Sequence, residues 1–129
     1  MGEDWLRTDT EGAYTPAVNI HRTPYAGRNF EYYSEDGFLA GELANEEVIG
    51  MQEKGAICYI KHFVMNDQET NRIGICTFSN EQAIREIYLK AFEKAVDEKR
   101  KRAYYWRRAR SCERQIKDAL GIDVYIVPK

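Results

Sequence analysis

Two short spans of this 129-residue chain concentrate the residue types that can do chemistry. One is Gly27-Arg28-Asn29-Phe30-Glu31-Tyr32-Tyr33-Ser34-Glu35-Asp36, and the other is Lys61-His62-Phe63 with its polar continuation through Arg72. Cations, an imidazole, amides and aromatic rings gathered in this way suit a ligand rich in hydroxyls. Such a ligand needs fixed donors and acceptors matched to its ring oxygens, and flat apolar walls for its C–H faces. Arg28, Lys61 and His62 offer the polar half of that set, and Phe30 and Tyr32 the walls. The same residues also have a purely architectural use. Lys61 and His62 fit a strand-end salt bridge and a hydrogen-bonded histidine, and Arg28 fits a loop-anchoring ion pair with Glu31 or Glu35. On composition alone the architectural use is the commoner one.

The elements around the two spans are those of a β/α fold. Tyr14-Thr15-Pro16-Ala17-Val18-Asn19 reads as a strand that delivers the Pro24 and Gly27 loop at its C-terminal end. From Ser34 to Lys54 the pattern turns helical, with Leu39, Leu43, Ala44, Val48 and Met51 as the apolar stripe, Ser34 or Asp36 as N-cap and Gly55 as C′. Ala56-Ile57-Cys58-Tyr59-Ile60 is a nearly continuous apolar run, as in a strand buried on both faces of a parallel sheet. Strand, helix and strand make a βαβ unit, so both polar spans open on the same rim. Ser79-Asn80-Glu81-Gln82 fits a capping box, with Ser79 as the cap. The helix behind it presents Ile84, Ile87, Tyr88, Ala91, Phe92, Ala95 and Val96 to the sheet. A second helical stripe is expected through Tyr105, Ala109, Cys112, Ile116, Ala119 and Leu120, then a strand over Ile122-Asp123-Val124-Tyr125-Ile126-Val127 stopped by Pro128.

Composition narrows the class further. With 43% apolar and 31% charged residues the chain is ordinary globular sequence, and no apolar run reaches the roughly 18 residues of a membrane span. No membrane partner and a cytoplasmic location are therefore expected, since the N-terminus also shows no secretory signal. Cys58, Cys76 and Cys112 are odd in number and widely spaced, which argues against a disulfide framework and against a paired Cys-x-x-Cys zinc site; no metal or cofactor is expected. Charge is distributed unevenly. Residues 1–98 hold nine Lys/Arg against eighteen Asp/Glu, and residues 99–129 hold ten against three. The composition breaks near residue 98.

Five motifs occur in an order that resembles glycoside hydrolase family 3, the β-glucosidase-like enzymes. They are Asn19-Ile20-His21-Arg22-Thr23-Pro24, the 27–36 span, Lys61-His62-Phe63, Asn66-Asp67-Gln68-Glu69-Thr70-Asn71-Arg72 and Arg85-Glu86-Ile87-Tyr88-Leu89. The resemblance covers residues 12–96. It implies part of an N-terminal (β/α)8 barrel domain, with two to three β/α units over residues 1–96, followed by a divergent basic helix and last strand over 97–129. It also implies that Arg28, Lys61 and His62 bind hydroxyls of a β-glucoside or other small sugar where the bond breaks. Glu69 and Arg72 are expected behind that pocket, since a buried charge needs a partner to offset its desolvation.

Retaining glycosidases need two carboxyl groups roughly 5 Å apart. The family nucleophile is an aspartate in a Ser-Asp-Trp segment, and these 129 residues contain no such segment, nor the Ser-Tyr-Asn strand or the upstream sugar-gripping aspartate of the family. The resemblance therefore assigns no catalytic residue here. A complete barrel is about twice this length, so a truncated or recombined form is expected, inactive alone. Its open strand edges invite self-association. Two other readings compete: a non-catalytic carbohydrate-binding or complementing fragment, and nucleic-acid binding through Lys99 to Arg114, which mixes eight basic residues with Tyr104, Tyr105 and Trp106. The acidic total charge and the lack of a phosphate-binding or RNP-like motif count against the last.

Overall fold

The computed structural model describes residues 1–95 and the backbone of two later strands, Tyr104–Arg107 and Tyr125–Val127. After a short helix α1 (Gly2–Arg7) come β1 (Gly12–Ala13), α2 (Gly37–Gln52), β2 (Ile57–Phe63), a helical stretch α3 over residues 81–95, β3 (Tyr104–Arg107) and β4 (Tyr125–Val127). The described strands lie side by side in the order β1-β2-β3-β4, every pair parallel. Parallel neighbours require crossovers, and α2 and α3 carry the first two. The expected α/β class holds. No helix among the described residues is long and apolar enough to cross a membrane.

The first strand lies ahead of the expected span of residues 14–19, at Gly12–Ala13. Gly12 and Ala13 pair with Ile57 and Cys58, and the chain returns to the sheet only at Ala17, which bridges Lys61. Pro16 has no N–H to give to a ladder, but its carbonyl accepts from the Lys61 N–H at 2.9 Å, and the Val18 N–H donates to the Lys61 carbonyl at 2.8 Å. Residues 16–18 thus run along the C-terminal end of β2. β2 itself alternates between buried and part-exposed positions up to Lys61, so it is not buried on both faces as its apolar run suggested.

α2 starts where Asp36, not Ser34, caps it: Asp36 Oδ1 accepts from the N–H groups of Phe38 (2.7 Å) and Leu39 (3.2 Å). Past the C-cap Glu53, the chain leaves through Gly55 at φ +84°, a conformation that favours glycine. The buried face matches the expected one at Ala44, Val48 and Met51 and differs at Leu39 and Leu43. Leu39 and Leu43 are 49% and 46% exposed, and Gly37, Ala40, Gly41, Ala44, Val48 and Met51 face inward. The reason is close helix packing. A Cβ on Gly37 would lie 2.7 Å from the Ile87 carbonyl oxygen, and one on Gly41 would lie 2.4 Å from Lys94 Cβ. Only hydrogen fits where α2 meets α3.

Asn80 rather than Ser79 caps α3, its side-chain oxygen accepting from the Ala83 N–H at 2.8 Å. The stretch is α-helical at Glu81–Ala83 and Leu89–Ala95, with a π turn at Ile84–Tyr88 between them. The wider turn shifts the stripe by part of a residue, which brings Leu89 into the core beside the expected Tyr88, Ala91, Phe92 and Ala95. Ile84 and Ile87 pack against that core half-buried, and Val96, the last residue of the expected stripe, lies outside the described residues.

The helical stripe expected from Tyr105 is corrected at its start, because Tyr104–Arg107 is a strand with Tyr105 opposite Ile60 and Trp106 opposite Lys61. Aromatic residues favour a pleated surface, and the free edge of β2 offers unpaired backbone groups to satisfy. The rest of that expected helix, Ala109 to Gly121, and residues 122–124 of the last strand lie outside the described residues. The last strand is seen at Tyr125–Val127.

Candidate functional site

The site forms where β2 runs out and the 27–36 loop folds over it. The register of β2 against β3 breaks between Lys61 and Phe63, and an irregularity of this kind re-aims neighbouring side chains. Behind it, the Asn19 side chain replaces a ladder partner. Its Oδ1 accepts from the His62 N–H at 2.6 Å and its Nδ2 donates to the His62 carbonyl at 2.9 Å. Asn19 and His62 are both almost fully buried, so this amide bracket satisfies main-chain groups that water does not reach.

Arg28 and Lys61 meet on one carboxylate. The Arg28 Nε donates to Glu31 Oε1, and the Lys61 ammonium lies 2.9 Å from Glu31 Oε2. A short 3-10 turn over Asn29–Glu31 brings Glu31 back under Arg28. Glu69 approaches Arg28 at 3.9 Å, accepts from the Asn66 amide at 3.0 Å and pairs with Arg72. Arg28, Lys61, Glu69 and Arg72 therefore belong to one connected group, which His62 joins through Tyr32 and Asn66. Burial pushes the Glu31 carboxyl up, but hydrogen bonds from Arg28 and Lys61 outweigh it and hold the group below the usual carboxylate range. Arg28 is held above its ordinary value, first by its hydrogen bond to Glu31.

His62 is 1% exposed. Burial, helped by the nearby Arg28 and Lys61 charges, lowers its pKa from 6.5 to about 4, against the opposing pull of Glu31 and Glu69. At neutral pH it is an uncharged imidazole. Tyr32, expected as an open wall, is instead buried with its hydroxyl 3.3 Å from His62 Nδ1, and burial pushes that phenol up to about 12. Phe30 is 85% exposed and keeps its availability as a wall.

The sequence pointed to Arg28, Lys61 and His62, and Glu31 appeared there only as a possible partner of Arg28. Its second bond, to Lys61 thirty residues away, has no local signature. Asn19 and Asn66 were missed as site residues, although each lies inside a quoted motif. A cavity of about 520 Å³ between Arg22, the start of α2 and Lys90 is lined by none of Arg28, Lys61 or His62, and the polar cluster is the better candidate.

Glu31→Gln keeps the shape of the junction but leaves two cations facing a neutral amide. An expected loss of about 2 kcal/mol follows from weakened charge-assisted hydrogen bonds at side chains only about one-sixth exposed. Urea unfolding measures it. Lys61→Met should cost little further in the Glu31→Gln background, and full additivity of the two changes would show that the junction does not act as a unit.

A parallel β/α module with a charged and amide-rich cluster at its strand ends defines the class: an α/β protein whose site is built on loops at the sheet's rim. The family profile described as glycosyl hydrolase family 3 N terminal domain matches residues 1–103. β-Glucosidase A of Butyrivibrio fibrisolvens is 59% identical over 97 residues, covering 75% of this chain and 12% of that enzyme. A β-glucosidase of Ruminococcus albus is 52% identical over 88 residues, or 68% of this chain and 9% of that one. Among solved structures, β-glucosidase 3B from Thermotoga neapolitana in complex with glucose superposes with a TM-score of 0.87 at 38% identity, covering 100% of this chain and 20% of its own. The Bifidobacterium adolescentis β-glucosidase gives 0.85 at 33% identity, covering 98% of this chain and 20% of its own. The chain belongs to glycoside hydrolase family 3. It spans about a tenth of the length of the curated relatives it matches.

Proposed function

We propose that this chain is an arc of a family 3 barrel domain whose Arg28, Lys61 and His62 hold hydroxyls of a β-glucoside. The observation that carries the reading is the meeting of Arg28 and Lys61 on Glu31, 2.9 Å from the lysine, beside a neutral His62. Arg28, Lys61 and Arg72 face Glu31 and Glu69, so three positive charges meet two negative ones. A nearly balanced set of donors and acceptors favours a neutral polyol over a strongly charged ligand. Glu69 and Arg72 support the cluster from behind, and the exposed Phe30 ring offers the apolar wall. The profile match runs to residue 103, past the charge break near 98, and β3 and β4 extend the same parallel sheet, so residues 97–129 are set apart from the barrel segment of 1–96 by their basic charge rather than by a change of sheet.

In this reading these residues grip the sugar and bond cleavage depends on carboxylates that the 129 residues do not supply in family position. Calorimetric titration with glucose tests it. Expected is a saturable heat that weakens about tenfold or more in Lys61→Met, the loss of one charge-assisted hydrogen bond. No heat from a folded chain rejects the sugar-binding role. Release of a chromogenic aglycone from an aryl β-glucoside by the chain alone, abolished in Lys61→Ala, would reject the division between gripping and cleaving.

A further inference from the structure

A hydrogen-bonded chain runs from Glu69 through Asn66 and Tyr32 to the His62 ring, and its polarity can be read from one end. An ionised carboxylate only accepts, so the Asn66 atom 3.0 Å from Glu69 Oε1 is the NH2 nitrogen. The same nitrogen lies 2.9 Å from the Tyr32 hydroxyl oxygen and gives it its second hydrogen. One side of that oxygen is now occupied by a donor, and the phenol has a single proton to place. The candidates are His62 Nδ1 at 3.3 Å and the Asn66 main-chain carbonyl at 3.5 Å, of which the second is at the outer limit of a hydrogen bond.

We propose that Tyr32 is a positioning residue that gives its proton to His62 Nδ1 and so fixes His62 as the Nε2–H tautomer. A neutral imidazole carries one ring proton, and an Nδ1 that accepts leaves it on Nε2. The ring is therefore a donor at the edge remote from Tyr32. Its low basicity, set first by burial, keeps a second proton off at neutral pH. Resting on the sugar-binding reading for its consequence, this assignment means that the ligand oxygen meeting His62 must accept a hydrogen bond. The role belongs to the loop after the 3-10 turn, since Tyr32 is the residue at which that turn passes into extended chain.

Nitrogen-15 NMR of the histidine side chains, on the full chain without ligand at pH 7, tests the assignment directly. Expected is a pyridine-type Nδ1 and a pyrrole-type Nε2 for His62, assigned by its loss in His62→Gln. In Tyr32→Phe the tautomer preference should collapse towards a mixture while the His62 main-chain N–H, held by Asn19, keeps its protection from exchange. A pyrrole-type Nδ1 in the unaltered chain, or an unchanged tautomer in a folded Tyr32→Phe, overturns the proposal. Should Tyr32→Phe fail to fold, Glu69→Leu frees the Asn66 amide to turn over and should weaken the same preference; an unmoved tautomer there also overturns it. Glucose titration separates the two readings. Affinity about tenfold weaker in Tyr32→Phe supports the positioning role, whereas an Nε2–H His62 in a chain that binds no glucose keeps the tautomer and removes the sugar site.

Discussion

Phe63→Ala is expected to cost about 3–5 kcal/mol, as large aromatic truncations in close-packed cores do. Phe63 follows His62 directly on β2 and is 1% exposed. Its ring meets Phe92 of α3 edge to face, with centroids 5.2 Å apart at 85°. The pair joins the strand end that presents Lys61 and His62 to the helix that closes the core. Truncation opens a cavity in the close-packed core to which Phe63 and Phe92 both belong, and it removes the aromatic contact as well. Phe63→Leu keeps most of the volume and should cost about 1 kcal/mol. A loss this large takes a substantial share of the stability of any small domain. Urea unfolding followed by tryptophan fluorescence measures both variants. Equal, small losses for Ala and Leu would show that Phe63 does not hold the strand end against α3, and the site would need another anchor.

Much of the scaffold can be read along the chain because its signals are local. The Asp36 and Asn80 caps lie within two residues of where polar side chains precede apolar periodicity, and Gly55 marks the turn after α2. Lys61 and His62 were legible because they end an apolar run and sit among family motifs. What could not be read depends on contacts between distant segments. Gly37 and Gly41 carry no hydrophobic signal, yet they decide how near α2 comes to α3, and the expected stripe held at Ala44, Val48 and Met51 while missing at Leu39 and Leu43. Asn19 and His62 are 43 residues apart and bond only because two strand ends lie together. Tyr104-Tyr105-Trp106 looked like the opening of a helix through its spacing to Ala109 and Cys112. The empty edge of β2 is the stronger influence on those residues.

Glu31 shows the same division. Its link to Arg28 spans three residues and follows from the loop, whereas its link to Lys61 spans thirty and follows from the sheet. The architectural and the functional uses of these charges are not alternatives. A lysine and an arginine held on one carboxylate have lost most of their rotamer freedom before any ligand arrives, and ordering donors in advance is what makes a polar site strong. In the proposed sugar site, Glu31→Gln should therefore weaken glucose binding through misplaced cations as well as lower stability.

Stability is expected to fall by about 3 kcal/mol as the pH drops from 6.5 to 4, because His62 must stay neutral to remain where it is. In the unfolded chain its imidazole titrates near the ordinary 6.5; in the folded chain burial and the neighbouring cations lower that to about 4. Between those values the unfolded state binds a proton that the folded state does not, so the stabilisation is complete above 6.5 and is lost as the pH falls towards 4. Two carboxyl groups modify the lower end. Glu31, held below 4.5 by Arg28 and Lys61 against its own burial, adds a loss in the same direction once the pH passes under its ordinary value. Asp67, raised from 3.8 by burial, works the other way as it takes up its proton. The upper half of the window, from 6.5 to about 5, therefore belongs mainly to His62. Unfolding free energies from urea titrations at half-unit steps of pH should show this slope in the native chain. His62→Gln, which keeps a polar side chain but has no proton to take up, should lower stability throughout and flatten the slope over that upper half. An equal slope in both chains would mean that the imidazole is already solvated, and a solvated His62 could not be the ordered neutral donor that the proposed sugar site requires.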